Sequence, residues 1–438
     1  FLPLLLLLSW IWLQVISLPP PLVRILAPDI FHAYQAILDL PGLNDSDTWI
    51  PLTVNPKATL LEGLRLSSYI FFYVLTIQLL TCGRRLLITV KAVGGLAVFI
   101  AFLSLIQRIT APDTLLWVRS LSDGKTAFGP WVYKNHYAGF MVMLCPLVLS
   151  QFLLRRPVLD RTGTCREKFL AFFSEDGVAA YFFWGFGTVV ILASVFLTQS
   201  RGGILSLSFG LLLFIVLTRQ RRKTGILSLL ILAGAFFIIV GWYSWEPILE
   251  RFSRIFESGT GTIKDDRLLI WTDSLKIIAD FPLTGSGFGT FIDIFPAYKT
   301  LPDNLLYDHA HNDFLELLAD GGLIAGGAAL CFIVSVLKTG YKQIRFRKDT
   351  RAVLLAVGAF SGLAGLLVYS IFDFNLHNGA NGLYFAFFCA LLISAGHTRQ
   401  YYQSTPTLLL PLLLPAPLGR YMSYIKGAAF LTLLIFFC

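Results

Sequence analysis

Charge is scarce in this sequence: only 14% of its 438 residues are Asp, Glu, Lys or Arg, well below the roughly 25% of an ordinary soluble domain. A chain so poor in charge, and 56% hydrophobic, cannot solvate itself as a globular domain in water. Cysteine offers no framework either. Cys82, Cys145, Cys165, Cys331, Cys389 and Cys438 fall in or beside apolar runs, with no CxxC spacing for a disulfide scaffold or thiolate metal site. They read as small core residues. Nucleotide fingerprints are missing too: the glycines of Gly285-Ser286-Gly287-Phe288-Gly289 follow no strand and precede no Walker lysine.

What the sequence has is long apolar runs, near 2–17, 67–82, 86–107, 136–154, 178–198, 202–218, 225–243, 314–337, 352–372, 379–395 and 425–438. Most suffice for a helix across a hydrocarbon core of ~30 Å. They lack the period-2 alternation of a barrel strand, and only helices or closed barrels satisfy their backbone in lipid. The expected fold is all-α, a polytopic helical membrane bundle of about 11–12 transmembrane helices forming a single integral membrane domain over 1–438. The opening run reads as a first transmembrane helix rather than a signal-peptide core. Because the chain starts at Phe1 and its last run stops at Cys438, both ends read as cut.

A formal charge of +9 does not point to nucleic acid when the basic residues sort by loop. Dense clusters occupy Arg84–Arg85, Arg155–Lys168, Arg219–Lys223 and Lys338–Arg351, which the positive-inside rule makes cytoplasmic. The alternating connections 18–66, 108–135, 199–201, 244–313 and 373–378 are then external. The two longest, 18–66 and the large 244–313 loop with its expected short helices, lie on that side, where chemistry is to be sought. Within the first, Leu22 to Leu40 has helical apolar spacing after Pro19-Pro20-Pro21 and reads as an interfacial helix.

Polar residues crowd the same side. Asp308-His309-Ala310-His311-Asn312-Asp313 ends the large loop. The i, i+2 histidines are not the i, i+4 pair of a helical zinc site, so no metal is expected. An imidazole here suits a general base, and Asn312 or Asp313 can also cap the following helix. Gln199-Ser200-Arg201-Gly202-Gly203 forms a tight hairpin whose guanidinium suits phosphate oxygens, or is a snorkelling turn residue. Asp265-Asp266-Arg267 opens an amphipathic stretch with Trp271, Leu275 and Ile278, expected as a helix over 267–280 before a glycine-hinged loop. That helix could place Arg267, Tyr298 and Lys299 over a membrane-facing site. Lys134-Asn135-His136 and Asp373-Phe374-Asn375-Leu376-His377-Asn378 either bind sugar hydroxyls or line the water interface.

Across roughly 130–378 the chain resembles the O-antigen ligase and O-antigen polymerase superfamily of bacterial membrane glycosyltransferases. The likeness rests on Ser200-Arg201-Gly202-Gly203, Arg267-Leu268-Leu269-Ile270-Trp271, Pro282-Leu283-Thr284-Gly285 and His309-Ala310-His311-Asn312-Asp313-Phe314-Leu315-Glu316. The family's ligase pattern runs from His311-Asn312 through nine residues to Gly322 and departs at Ala325, with Gly326 one later. The resemblance implies metal-independent, inverting transfer of a glycan from undecaprenyl pyrophosphate, with no cofactor. Arg201, Arg267 and His311 match the catalytic roles, and Lys299, Tyr298, His309, Asn312, Lys134, Asn135, His136, Asp373 and His377 are candidate substrate-binding residues. The implied setting is the bacterial inner membrane with the site facing the periplasm. Acceptors of three kinds stay open: lipid A-core, a second lipid-linked glycan, or a protein hydroxyl. A transporter or flippase for lipid-linked oligosaccharide is the alternative, although no internal repeat is evident and the span centres look free of acidic residues.

Overall fold

The computed structural model describes residues 1–38, 48–121, 127–156, 166, 177–219 and 266–397. Expected spans 225–243 and 425–438, and all of 244–265, lie outside the described residues. Thirteen α-helices occur among those described: α1 Leu2–Val15, α2 Pro20–Leu26, α3 Pro28–Leu38, α4 Pro56–Leu79, α5 Gly83–Thr110, α6 Lys134–Leu154, α7 Val178–Leu197, α8 Arg201–Arg219, α9 Asp266–Asp280, α10 Phe291–Ile294, α11 Asp313–Phe346, α12 Thr350–Tyr369 and α13 Gly379–His397. The only sheet among them is a two-stranded hairpin, β1 Thr114–Leu115 with β2 Arg119–Ser120. The polytopic helical bundle is borne out. Eight described helices (α4 to α8 and α11 to α13) are long and apolar enough to cross a membrane. Helix α1 rises only about 21 Å over its 14 residues, shorter than such a span.

The expected interfacial helix over 22–40 is two helices. Pro28 removes a backbone donor and pushes Ala27 out of the helical region (φ −147°, ψ 74°), so the chain bends between α2 and α3.

Two compact units divide the chain. The first comprises residues 1–71, 262–338 and 370–382, and its core joins chain-distant elements. Trp10 and Ile11 of α1, Val23 of α2, Ile270 and Ile277 of α9, and Phe288, Phe291 and Phe295 beyond it are all buried there. Helix α9 turns Ile270, Asp273, Ser274 and Ile277 inward, at i, i+3, i+4 and i+7. Leu275, one position off that stripe, is exposed.

Helix α11 is broken. Gly322 sits at φ 64°, ψ −169°, which splits the helix after two turns. The glycine-hinged loop fills the break: the N–H groups of Ser286 and Gly287 bond the carbonyls of Ala319 and Asp320, both at 2.9 Å, and Leu323 N–H bonds Pro282 O at 2.8 Å. Trp10 Nε1 donates to Gly321 O at 3.0 Å, and Gln14 Nε2 to Thr284 O at 2.7 Å. Backbone groups freed by a break in lipid must find partners, and here loop and α1 supply them. A Cβ on Gly322 would collide with the Leu283 carbonyl, so both its dihedral and its surroundings demand glycine. The opening turns of this span carry acidic residues: Asp313, Glu316 and Asp320, all buried, share one face.

The second unit comprises residues 72–261, 339–369 and 383–438. At its centre α6 is buried nearly all round from Asn135 to Leu153, packed against α12, α7 and α8. Close approach there depends on small residues: a side chain on Gly362 of α12 would strike the Met143 carbonyl of α6.

Candidate active site

Three short segments of the first unit meet: 308–316, 370–377 and the start of α9. Asn312 is the cap that the sequence allowed, its Oδ1 accepting the N–H groups of Phe314 (3.0 Å) and Leu315 (3.2 Å). Capping reverses the chain just before α11 and leaves His311 at φ +52°, a conformation costly for a residue with a Cβ. Such strain persists only where surrounding contacts enforce it. Helix α9 supplies two of them. Arg267 Nη1 donates to Phe372 O at 2.8 Å, and one turn later Trp271 Nε1 donates to Ala310 O at 3.1 Å. One helix thus clamps both polar loops.

Two histidine–carboxylate arrangements result. His311 Nδ1 lies 3.4 Å from Asp373 Oδ1, with the carboxylate fully buried and the imidazole 21% exposed. Phe374 N–H holds the same Asp373 oxygen at 3.0 Å, and the Phe374 ring meets His311 edge to face. With Nδ1–H directed at Asp373, the Nε2 lone pair of His311 becomes the proton acceptor.

The second arrangement is a closed network. Glu316 Oε1 is 2.6 Å from His309 Nδ1 and 3.1 Å from His377 Nε2, while Glu316 Oε2 accepts Ala310 N–H at 2.9 Å. His377 Nδ1 lies 3.1 Å from Asp313 Oδ1, and Asp313 also accepts Leu376 N–H at 3.2 Å. Burial works against a charged imidazole, yet the Glu316 carboxylate and then Asp313 outweigh it and raise the His377 pKa to about 9. His377 is therefore a cation that ties α11 to the 370–377 loop. Arg65 of α4 adds its bond to His377 O at 2.8 Å and pairs with Glu62 at 2.5 Å. The ligand atoms of His309, Glu316 and His377 lie within 4.8 Å of one another and could hold a metal ion. Protons on the two rings satisfy the same contacts, since 2.6 and 3.1 Å are hydrogen-bond separations.

Other sequence candidates have their own places. Lys299 bonds Asp303 and the Leu305 carbonyl, and Tyr298 donates to Asp280 at 2.6 Å, so both fasten the loop after α10. Arg201, Lys134, Asn135 and His136 belong to the second unit. Arg201 is exposed at the first position of α8, behind Gln199 at φ +53° and Ser200, whose Oγ meets Tyr369 Oη at 2.6 Å and accepts Gly203 N–H at 3.3 Å. A guanidinium at a helix N-terminus suits an anion. Asn135 Nδ2 donates to Tyr133 Oη at 2.9 Å, with His136 edge-on to the same ring.

Sequence reasoning missed the work of Glu316, Asp313, Trp271 and Arg65. A signal existed: 313, 316 and 320 repeat at helical spacing, placing three carboxylates on one face of a supposedly apolar span.

The eight apolar helices and this polar cluster define a multi-pass membrane protein with a histidine–carboxylate site. Residues 186–330 match the O-antigen ligase family, and the resemblance read from the motifs is borne out over that stretch. The match takes in Arg201, Arg267 and His311 and stops before Asp373 and His377. No curated protein matches the chain.

Proposed function

We propose that the protein transfers a glycan from undecaprenyl pyrophosphate to an acceptor hydroxyl during surface-polysaccharide assembly, as an inverting, metal-independent glycosyltransferase. The observation that carries this reading is His311, strained at φ +52°, part exposed, and backed by buried Asp373 at 3.4 Å. The acceptor O–H gives its proton to His311 Nε2 as its oxygen attacks the anomeric carbon. The bond from that carbon to the pyrophosphate oxygen breaks, and undecaprenyl pyrophosphate leaves with its electron pair. Pyrophosphate is already a good leaving group, so the remaining task is to neutralise its charge and orient the acceptor. Arg201 is assigned to the donor phosphates by the chemistry of its own turn and by the family resemblance. Arg267 holds the loop that carries Asp373, and the family resemblance assigns its guanidinium to the donor phosphates. His309, Asn312, Asp373 and His377 act chiefly by fixing His311 and the walls around it.

The asymmetry of basic loops supports placing this site outside the bacterial inner membrane, with 18–66 and 244–313 external. A transporter would use a broken helix to coordinate cargo with unpaired backbone groups. The carbonyls of Ala319, Asp320 and Gly321 are instead taken by Ser286, Gly287, Gln14 and Trp10, which favours catalysis.

The test is reconstitution in lipid nanodiscs with an undecaprenyl-pyrophosphate-linked glycan, offering lipid A-core, a second lipid-linked glycan and a hydroxyl-bearing peptide in turn. One acceptor should receive the glycan, with inverted configuration and undiminished rate in chelator. Loss of donor without a glycosylated product, or no reaction with any acceptor, rejects the reading.

A further inference from the structure

The hairpin after α5 presents its least soluble residues outward. Leu115 pairs with Arg119 and Thr114 with Ser120, leaving Leu116, Trp117 and Val118 at the tip, closed by Val118 N–H to Leu115 O at 3.0 Å. Both Leu116 (φ 49°) and Trp117 (φ 60°) adopt the left-handed conformation, where a tight hairpin turn favours Asn and Gly. Two bulky side chains therefore sit where they strain the backbone, and they gain little burial in return: Leu116 is 36%, Trp117 44% and Val118 90% exposed. Neither local conformation nor packing among the described residues explains an apolar tip here.

Its position does. Helix α5 is a membrane span ending at Thr110, and Ile109 in its last turn is 69% exposed, on the surface a span presents to lipid. Trp117 Nε1 donates to Thr110 Oγ1 at 2.9 Å, which fixes the indole against that turn. The tip thus continues the exposed apolar surface of α5 at the depth where the helix leaves the hydrocarbon. Tryptophan is favoured at that depth because its ring is apolar and its N–H finds a partner. Exposed Arg119 on the return strand suits lipid phosphate.

We propose that Leu116-Trp117-Val118 inserts into the bilayer interface and moors the hairpin after α5 to the lipid surface. Backbone strain is offset by transfer of the tip from water to lipid, a gain that exists only in a membrane.

The test places an environment-sensitive fluorophore at Val118→Cys in the full chain, with Cys82, Cys165, Cys331 and Cys438 replaced by Ser and the buried Cys145 and Cys389 kept. In nanodiscs of phosphatidylethanolamine and phosphatidylglycerol the emission should be blue-shifted, quenched by lipids spin-labelled near the headgroup and untouched by aqueous iodide. Water-like emission quenched by iodide overturns the proposal, as does blue-shifted emission insensitive to the lipid quencher, which means cover by protein. A second variant, Leu116→Asn with Trp117→Gly, suits both left-handed positions. Its thermal midpoint in detergent should equal or exceed the parent's while lipid quenching at 118 falls severalfold; undiminished quenching overturns the proposal.

Discussion

Helices α6 and α11 both qualify as membrane spans, yet they are built oppositely. Helix α6 runs unbroken, is buried nearly all round and is mostly apolar, with close approach to α12 where a small residue allows it. Helix α11 breaks at Gly322, and its first half carries three buried carboxylates wired to loops. A protein in lipid satisfies polar groups internally at considerable cost, so a span that spends its first two turns on them is holding something in place. What α11 holds is the His309–His311 loop against the 370–377 loop. The continuous helix is packed as scaffold; the broken one carries the polar network of the candidate site.

Predictions that break or sharpen this contrast differ most at glycine. Gly322→Ala forces a Cβ into the Leu283 carbonyl at positive φ and should cost on the order of 3–5 kcal/mol, seen as loss of folded protein or a large fall in thermal midpoint. Gly95→Ala in the continuous helix α5 meets nothing within 4 Å and should stabilise by about 0.5–1 kcal/mol. Equal effects at the two positions would erase the contrast.

Glu316→Gln comes next, because it removes the carboxylate that His309 and His377 share. Breaking a buried charged network typically costs about 3 kcal/mol, read as a lower midpoint at neutral pH. The pH dependence follows from His377. Its pKa is raised from 6.5 to about 9 on folding, so its contribution of up to about 3 kcal/mol is fully present below pH ~6.5 and is lost as pH rises through 9. His377→Gln should flatten the stability profile between those limits; an unchanged slope would remove His377 from the network. Smallest is Trp271→Phe, which deletes one hydrogen bond to Ala310 O. About 1 kcal/mol of stability should go, together with a larger loss of transfer rate than of midpoint, since the bond fixes the His311 loop.

Much of this was legible in the sequence, unevenly. Apolar runs located the eight long apolar helices among the described residues because lipid imposes one solution, and the helix over 267–280 appeared within a residue of α9. Both polar clusters, 308–313 and 373–378, stood out as more polar than turns require. Their meeting did not, because His311 and Asp373 are 62 residues apart and only tertiary packing brings them together. Lys299 stood out as a candidate for substrate, and its pairing with Asp303, four residues on in the same loop, was not legible. Trp271 looked like part of an apolar face, and its indole N–H, invisible to periodicity, proved the useful part. The break in α11 was hidden because Gly321-Gly322 is tolerated within a membrane helix and hydropathy does not register a dihedral.

The central claim is that the polar half of α11 and its loops hold His311 as the base. The most direct measurement is the single-turnover transfer rate of His311→Ala in nanodiscs with saturating donor and acceptor, beside its thermal midpoint. The rate should fall about 10²–10⁴-fold, the usual worth of a general base, with the midpoint within a few degrees of the parent. A rate within about twofold of the parent, at an unchanged midpoint, would contradict it.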